Sequence, residues 1–465
     1  MTRLVEATRR RGFIACAASA VVLLVATTGA TVAGVASSAG ATARGGEWTT
    51  YGGSVTRASI QPASPKLNPL HTLWLDHSID GAIYGEPLIY RGRVFVATEA
   101  DHVYALSARN GKVIWQRSIG RPVDSGTLPC GDIGPTVGVT STMVLDPILD
   151  RLFAVGMVDS GGAVRHEFFA INPTNGQILA HRFLDQPGWY TPAYLQRAGL
   201  GLDEGRVLVG FGGNYGDCSS YRGALVAVPE SGKGPAYVYR VPTAKGGAIW
   251  APSGESILPN GDILVSTGNS ASQSAYDGGV SVDELLPTLR RNAYFAPSGW
   301  RMYNANDLDQ SSTAPIVVAG NQVLSAGKSG VAFLLSLERL GGIGGQVSST
   351  SVCGSYGGDA RDGGIVVLGC SFSPPQAVKV ANRSIHTLWT GPGRTSGSPT
   401  IAGGLVWSVG NGELTGLRLG SGRLAVSIGT VSTEHFAAPS AGEGLLVVGG
   451  DGAVEAYAGR EGYVG

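Results

Sequence analysis

Charge is scarce in this chain, and the familiar catalytic spacings are missing. Only 15% of its 465 residues are Asp, Glu, Lys or Arg, with 34 of each sign. No basic stripe or aromatic-basic ladder breaks that balance, so nothing electrostatic points to a nucleic-acid partner. There is no Cys-x-x-Cys and no closely spaced Cys/His set, which removes zinc. There is likewise no His-Glu-x-x-His and no Gly-x-Ser-x-Gly elbow, which removes a zinc hydrolase and an α/β serine hydrolase. Gly327-Lys328-Ser329 is no phosphate loop, because Gln322 stands where its first Gly belongs. The histidines are scattered, and His102, His166 and His181 read as surface residues in or beside strands.

What the chain has in quantity is glycine, 72 residues of it. Arg9-Arg10-Arg11 precedes an apolar run from Phe13 to about Ala36 that ends at Ala41-Thr42-Ala43. Residues 1–43 therefore read as an export signal, with Arg10-Arg11-Gly-Phe-Ile close to the twin-arginine pattern and ordinary secretion equally open. An uncleaved anchor is the other outcome for a run of this length. A cleaved leader would leave no membrane span, with the mature chain secreted or in the cell envelope. Four cysteines follow the leader: Cys130, Cys218, Cys353 and Cys370. An even number in an exported chain predicts two disulfides.

Behind the leader, Gly/Pro-punctuated strand clusters repeat roughly every 50 residues, which is a propeller period. The first reads Gly85-Glu-Pro-Leu-Ile-Tyr, Val94-Phe-Val-Ala, Val103-Tyr-Ala-Leu and, after Asn110-Gly111, Lys112-Val-Ile-Trp115. Later clusters begin near Met143, Pro192, Ser253, Pro315, Ser355, Pro399 and Pro439. Four strands per cluster make a blade, so the fold class is all-β, an eight-bladed β-propeller. A β-solenoid or a pair of sandwiches would also carry Gly turns, but solenoid rungs are shorter than this period. The last cluster, Leu445-Leu-Val-Val and Ala453-Val-Glu-Ala-Tyr457, stops one strand short, whereas Leu70-His-Thr-Leu-Trp-Leu75 is a strand without a blade. Pairing the two closes the ring and removes its open edges. Residues 70–465 are then the propeller and 44–69, rich in Gly, Ser and Pro, a wrapping lead-in.

Ala105-x-x-x-x-x-Gly111-Lys112-x-x-Trp115 resembles the repeat of the PQQ-like, or quinoprotein alcohol dehydrogenase-like, β-propellers, with Ser107 and Asn110 where that repeat prefers Asp and Thr. Looser copies stand at Ala170 to Ala180 and Gly416 to Val426. In this motif the Gly permits a left-handed turn and the Trp covers the neighbouring blade, so Trp115 and Trp389 are assigned to packing between blades. Members that oxidise alcohols or sugars also carry adjacent cysteines over the quinone and a Glu/Asn/Asp calcium set. This chain has no Cys-Cys pair, and no such set can be placed residue by residue. The resemblance implies the scaffold and leads to a ligand- or protein-binding module without a cofactor. Its partner would be a small molecule or an envelope protein, and a monomer is expected. The alternative is a PQQ-dependent dehydrogenase of an alcohol or sugar, holding quinone and calcium. An envelope assembly factor is a third reading.

In up-and-down blades, the connection between second and third strands shares a face with the connection into the next blade. Ser118 to Gly138, Phe211 to Tyr221 and the segments around Cys353 and Cys370 all fall there. That favours Cys130–Cys218 and Cys353–Cys370 among three connectivities. Asn269 to Trp300 reads as the longest insertion on the same face, carrying Asp277, Asp283, Glu284, Tyr294, Phe295 and Trp300. A pocket is expected beside it, with Trp250 and Trp300 as aromatic walls and Asp307, Asp309 and Lys328 as polar floor. Asp307 and Asp309 also suit turn capping, and Lys328 between small residues also suits a solvated turn.

Overall fold

The structure is a computed structural model that describes residues 46–318, 320–370, 373–393 and 397–463. The export segment read at 1–43 lies outside the described residues. Among the described residues, eight sheets built on four antiparallel strands follow one another along the chain, the first seven each from a single stretch of sequence and the eighth from three strands near the C-terminal end and one from near the N-terminal end. In the first blade these are Leu88–Tyr90, Arg93–Ala97, His102–Ser107 and Val113–Ser118. The gradient across a blade follows from its position in the ring. Val94, Phe95 and Val96 are buried on both faces between neighbouring blades, whereas Val113–Ser118 at the perimeter is mostly exposed.

The ring is closed by its two ends. His71–Asp76 lies antiparallel to Ala453–Ala458 with Trp74 opposite Ala456 and Leu75 opposite Glu455, as the missing strand of the last cluster required.

Tryptophan and glycine clasp successive blades. Gly111 has φ +71°, and a Cβ there would stand 2.5 Å from the Trp74 indole. Trp74 Nε1 donates to the Ala108 carbonyl at 2.8 Å. Trp115 repeats this over Gly176, donating to Pro173 O at 3.0 Å, and Trp389 over Gly422, donating to Leu419 O at 2.7 Å. Both tryptophans assigned to packing lie between neighbouring blades. Gly111→Ala should therefore lose about 2–4 kcal/mol, the sum of left-handed strain and overpacking. Gly205→Ala, at φ +79° with nothing within 4 Å, carries strain alone and should lose about 1–2 kcal/mol. Denaturant midpoints check this; equal losses at the two sites would remove the clasp from the account.

Two readings need correction. Val282–Leu285 and Arg291–Ala296 are the third and fourth strands of the fourth blade and no insertion. Asp283 and Glu284 disguised the first of them, because acidic residues are depleted in strands. Here Asp283 is buried and paired: it accepts from Tyr239 Oη at 2.5 Å and Ser281 Oγ at 2.9 Å, and Arg291 Nη1 is 3.6 Å away. His166 is also fully buried, with Nδ1 3.0 Å from Asp185 Oδ1.

The lead-in occupies the hub. Trp48 exchanges two 2.8 Å hydrogen bonds with Ile89 of the first blade. Thr49 O accepts from Leu145 N in the second, Val55 O from Ile257 N in the fourth, Ala58 O from Arg361 N in the sixth, and Ser59 O from Ile401 N in the seventh. Ile60–Gln61 then runs parallel to the innermost strand of the seventh blade. Arg57 sits at the centre, 2% exposed. Its guanidinium donates to Glu255 O (2.7 Å), Thr50 Oγ1 (2.7 Å), Leu200 O (3.1 Å), Tyr51 O (3.3 Å) and Glu255 Oε1 (3.5 Å).

Buried carboxyls beside the hub give the fold a pH dependence. Burial pushes Glu86 up to about 8, against the hydrogen bond it accepts from Gly52 N at 2.8 Å. Glu99 is pushed to about 7 by the same cause. A carboxyl raised in the folded chain holds a proton that the unfolded chain releases near its ordinary pKa of about 4.5, so folding is favoured at low pH. This contribution is full below about pH 4.5 and is lost as pH rises to about 8. Melting temperature should accordingly fall between pH 5 and pH 8, and Glu86→Gln should flatten the slope; a slope unchanged in the variant would refute the assignment.

Candidate functional site

Loops from several blades converge on one face around a cavity of about 960 Å³. Each blade delivers its second-to-third connection and its exit loop to the same side, so residues far apart in sequence share one wall. Asp132 and Ile133 come from the loop after the first blade, Asn214 to Asp217 from the third, Asn269 from the fourth, and His435 and Phe436 from the approach to the eighth. A two-stranded ribbon, Val123–Asp124 with Thr136–Val137, stiffens the first of these loops.

Both disulfides sit in these connections, with the pairing expected from the shared face. Cys130–Cys218 spans 88 residues and ties the loop after the first blade to that of the third, while Cys353–Cys370 spans 17 within the sixth blade.

Trp250, Asp307, Asp309 and Lys328 line the cavity together. Lys328 Nζ is 2.6 Å from Asp309 Oδ2, 3.0 Å from Asp307 Oδ2 and 5.5 Å from the centre of the Trp250 ring. Burial alone would lower the ammonium's pKa, but the two carboxylates outweigh it and hold the pKa above its ordinary value. Asp309 is buried, and its Oδ1 accepts from Asn269 N at 2.7 Å. With its amide nitrogen turned inward, the Asn269 side chain adds donors at 2.5 Å to Asp309 and 3.3 Å to Asp307. Gly268 and Gly327 allow this approach: a Cβ on either would meet Asp309 at 2.5 Å.

Trp300 does not line the cavity. It opens the short helix Trp300–Ala305, is 3% exposed, and packs edge-on to Tyr276 at 5.5 Å. The helix presents Asn304 and Ala305 to the cavity instead.

Sequence reasoning missed three parts of the wall. Arg197 lines the cavity while only 4% exposed. Phe436 stacks on Tyr356 with ring centres 5.3 Å apart, and His435 stands edge-on to Phe436 at 4.7 Å. Phe436 has φ +65°, a conformation costly for a bulky residue and concentrated at functional sites. Nothing in Thr433-Glu-His-Phe-Ala announces that backbone.

The donor set does not fit calcium. Calcium takes six to eight oxygens, and of the four aspartates lining the cavity Asp307 and Asp309 already close on the Lys328 ammonium. Among the described residues no group of three or more His, Cys, Asp or Glu is arranged to hold a metal ion. Nor is there a strained ring of adjacent cysteines, since Cys130 and Cys218 come from different blades. Lys328 also lies over one face of the Trp250 ring.

Eight four-stranded blades, Trp–Gly clasps and ring closure by the chain ends define a PQQ-like β-propeller. The family model described as outer membrane protein assembly factor BamB matches residues 17–269, over half of the chain, and the chain belongs to this PQQ-like propeller repeat family. No curated protein sequence matches it. Among solved structures, the quinohemoprotein alcohol dehydrogenase from Comamonas testosteroni is similar, with TM-score 0.67 at 15% identity over 90% of this chain and 81% of that one. Quinohemoprotein alcohol dehydrogenase ADHIIG from Pseudomonas putida HK5 has TM-score 0.67 at 14% identity, covering 89% and 80%. A europium-containing methanol dehydrogenase has TM-score 0.63 at 11% identity, covering 87% and 90%. At these identities the likeness is one of fold.

Proposed function

We propose that this chain is an exported binding module whose ligand enters the loop-lined mouth of the propeller. The observation that carries this is the 960 Å³ cavity, walled by Trp250, Tyr356 and Phe436 and provided with convergent polar groups at Asn269, Asp307, Asp309 and Lys328. Volume, aromatic walls and a few placed polar groups are what small-molecule sites share. Two disulfides join connections on this face, which supports an oxidising location outside the cytoplasm. No helix among the described residues is long and apolar enough to cross a membrane.

A ligand screen read by thermal shift tests this against Ala305→Trp, which fills the mouth from the exposed end of its helix. Compounds that stabilise the parent should lose their effect in the variant; hits that stabilise both equally would place binding elsewhere. PQQ with calcium should produce neither a thermal shift nor dye-linked alcohol oxidation.

Protein contact is a second reading, favoured by apolar side chains left exposed on outermost strands: Leu75, Ile114, Phe183, Tyr237 and Leu424 are 46–51% exposed. The family's description as an assembly factor points the same way. Crosslinking from Ile114 in the envelope tests it.

A further inference from the structure

Resting on the binding reading above, we propose that the cavity's ligand is an organic anion, a carboxylate or a phosphate monoester, and that Arg197 is the residue that takes its negative group. Among the described residues lining the cavity, Arg197 and Lys328 are the strongly basic ones, and they differ in one respect. Lys328 is matched by two carboxylates. Arg197 forms no ion pair among the described residues. Among those residues its one side-chain hydrogen bond is a long contact from Nη1 to Thr140 O at 3.4 Å, and its Nη2 is buried with no partner.

A guanidinium held in that state is costly unless a ligand completes it, because an unpaired buried charge loses its hydration with nothing in return. Surrounding acids do not fill the role. Glu99 and Asp132 act on Arg197 electrostatically without reaching ion-pair distance, and Glu99 spends one oxygen on Gly138 N and Thr140 Oγ1. Burial and the adjacent guanidinium hold the His435 imidazole below its ordinary pKa, so it adds no competing cation at neutral pH. The guanidinium lies 5.6 Å from the Tyr84 ring centre, and Tyr84 in turn meets His435 edge-on at 5.4 Å. Phe436 extends this aromatic surface along the cavity. A donor fork with an apolar wall beside it suits an anion carried on an organic body, since Arg offers paired N–H groups to the two oxygens of a carboxylate or phosphate.

The test uses benzoate, phenyl phosphate and the neutral isostere benzamide, titrated calorimetrically into the oxidised full-length protein. At least one anion should bind ten-fold or more tightly than benzamide, and the tighter of the two identifies the source chemistry. Arg197→Gln should abolish the difference, and Arg197→Lys, which keeps the charge but not the fork, should retain part of it. Benzamide binding as well as both anions, either variant binding an anion with unchanged affinity, or failure of both anions to bind overturns the proposal. If the anions fail while neutral hits from the screen still lose their effect in Ala305→Trp, the anion assignment falls and the binding reading survives; if neither class is blocked, both fall.

Discussion

Arg57→Met should destabilise the protein by about 3–5 kcal/mol, the cost of breaking a buried ion pair from one side. The methionine keeps most of the side-chain volume, so the loss reads out the polar centre and not a void. Three carbonyl oxygens, one hydroxyl and the Glu255 carboxylate would lose their donor together. Glu255 is fully buried and would be left with an uncompensated charge or forced to protonate. The effect should also spread, because Arg57 anchors a segment bonded to the first, second, fourth, sixth and seventh blades. The double variant Arg57→Met/Glu255→Leu should recover part of the loss, since apolar replacements of a whole buried pair are often neutral. Denaturant unfolding measures both; a loss below about 1 kcal/mol in the single variant would show that the lead-in does not hold the hub.

Removing the Cys130–Cys218 bridge as the double alanine variant should lose more stability than removing Cys353–Cys370. The two close loops of 88 and 17 residues, and a longer loop gains more freedom in the unfolded chain when released. Chain entropy assigns roughly 4–5 kcal/mol to the longer and about 3 kcal/mol to the shorter. The longer bridge also joins loops of different blades at the cavity rim, so its loss should weaken ligand binding while Cys353→Ala/Cys370→Ala leaves it nearly intact. Melting temperatures of the oxidised parent and both double variants decide the order. Equal shifts, or a larger one for the shorter bridge, would contradict it.

Much of this architecture was legible because a propeller is written in local signals. The short apolar run that makes Arg93–Ala97 a strand and the Gly111–Trp115 spacing that marks the repeat lie within a few residues. Ring closure was legible as arithmetic, since Ala453–Ala458 lacked a partner and His71–Asp76 lacked a blade. The shared face of alternate connections then brought the cysteines together in the right pairs. The same logic failed at Val282–Leu285, where Asp283 and Glu284 hid a strand, because the groups that neutralise Asp283 lie on Tyr239 and Arg291. Trp300 failed likewise: an aromatic beside a loop looks the same whether it faces a cavity or Tyr276.

By itself, the sequence determined the class of fold, the number of blades, their closure and the two disulfides, all of which follow from patterns repeated along the chain or from parity between its ends. Only the tertiary structure decided that the lead-in fills the hub, that Lys328 is matched by carboxylates while Arg197 is not, and that Phe436 turns into the mouth with a left-handed backbone. Those outcomes depend on distances between residues of different blades, and an ion pair is made or missed within an ångström or two, a scale on which sequence spacing carries no information.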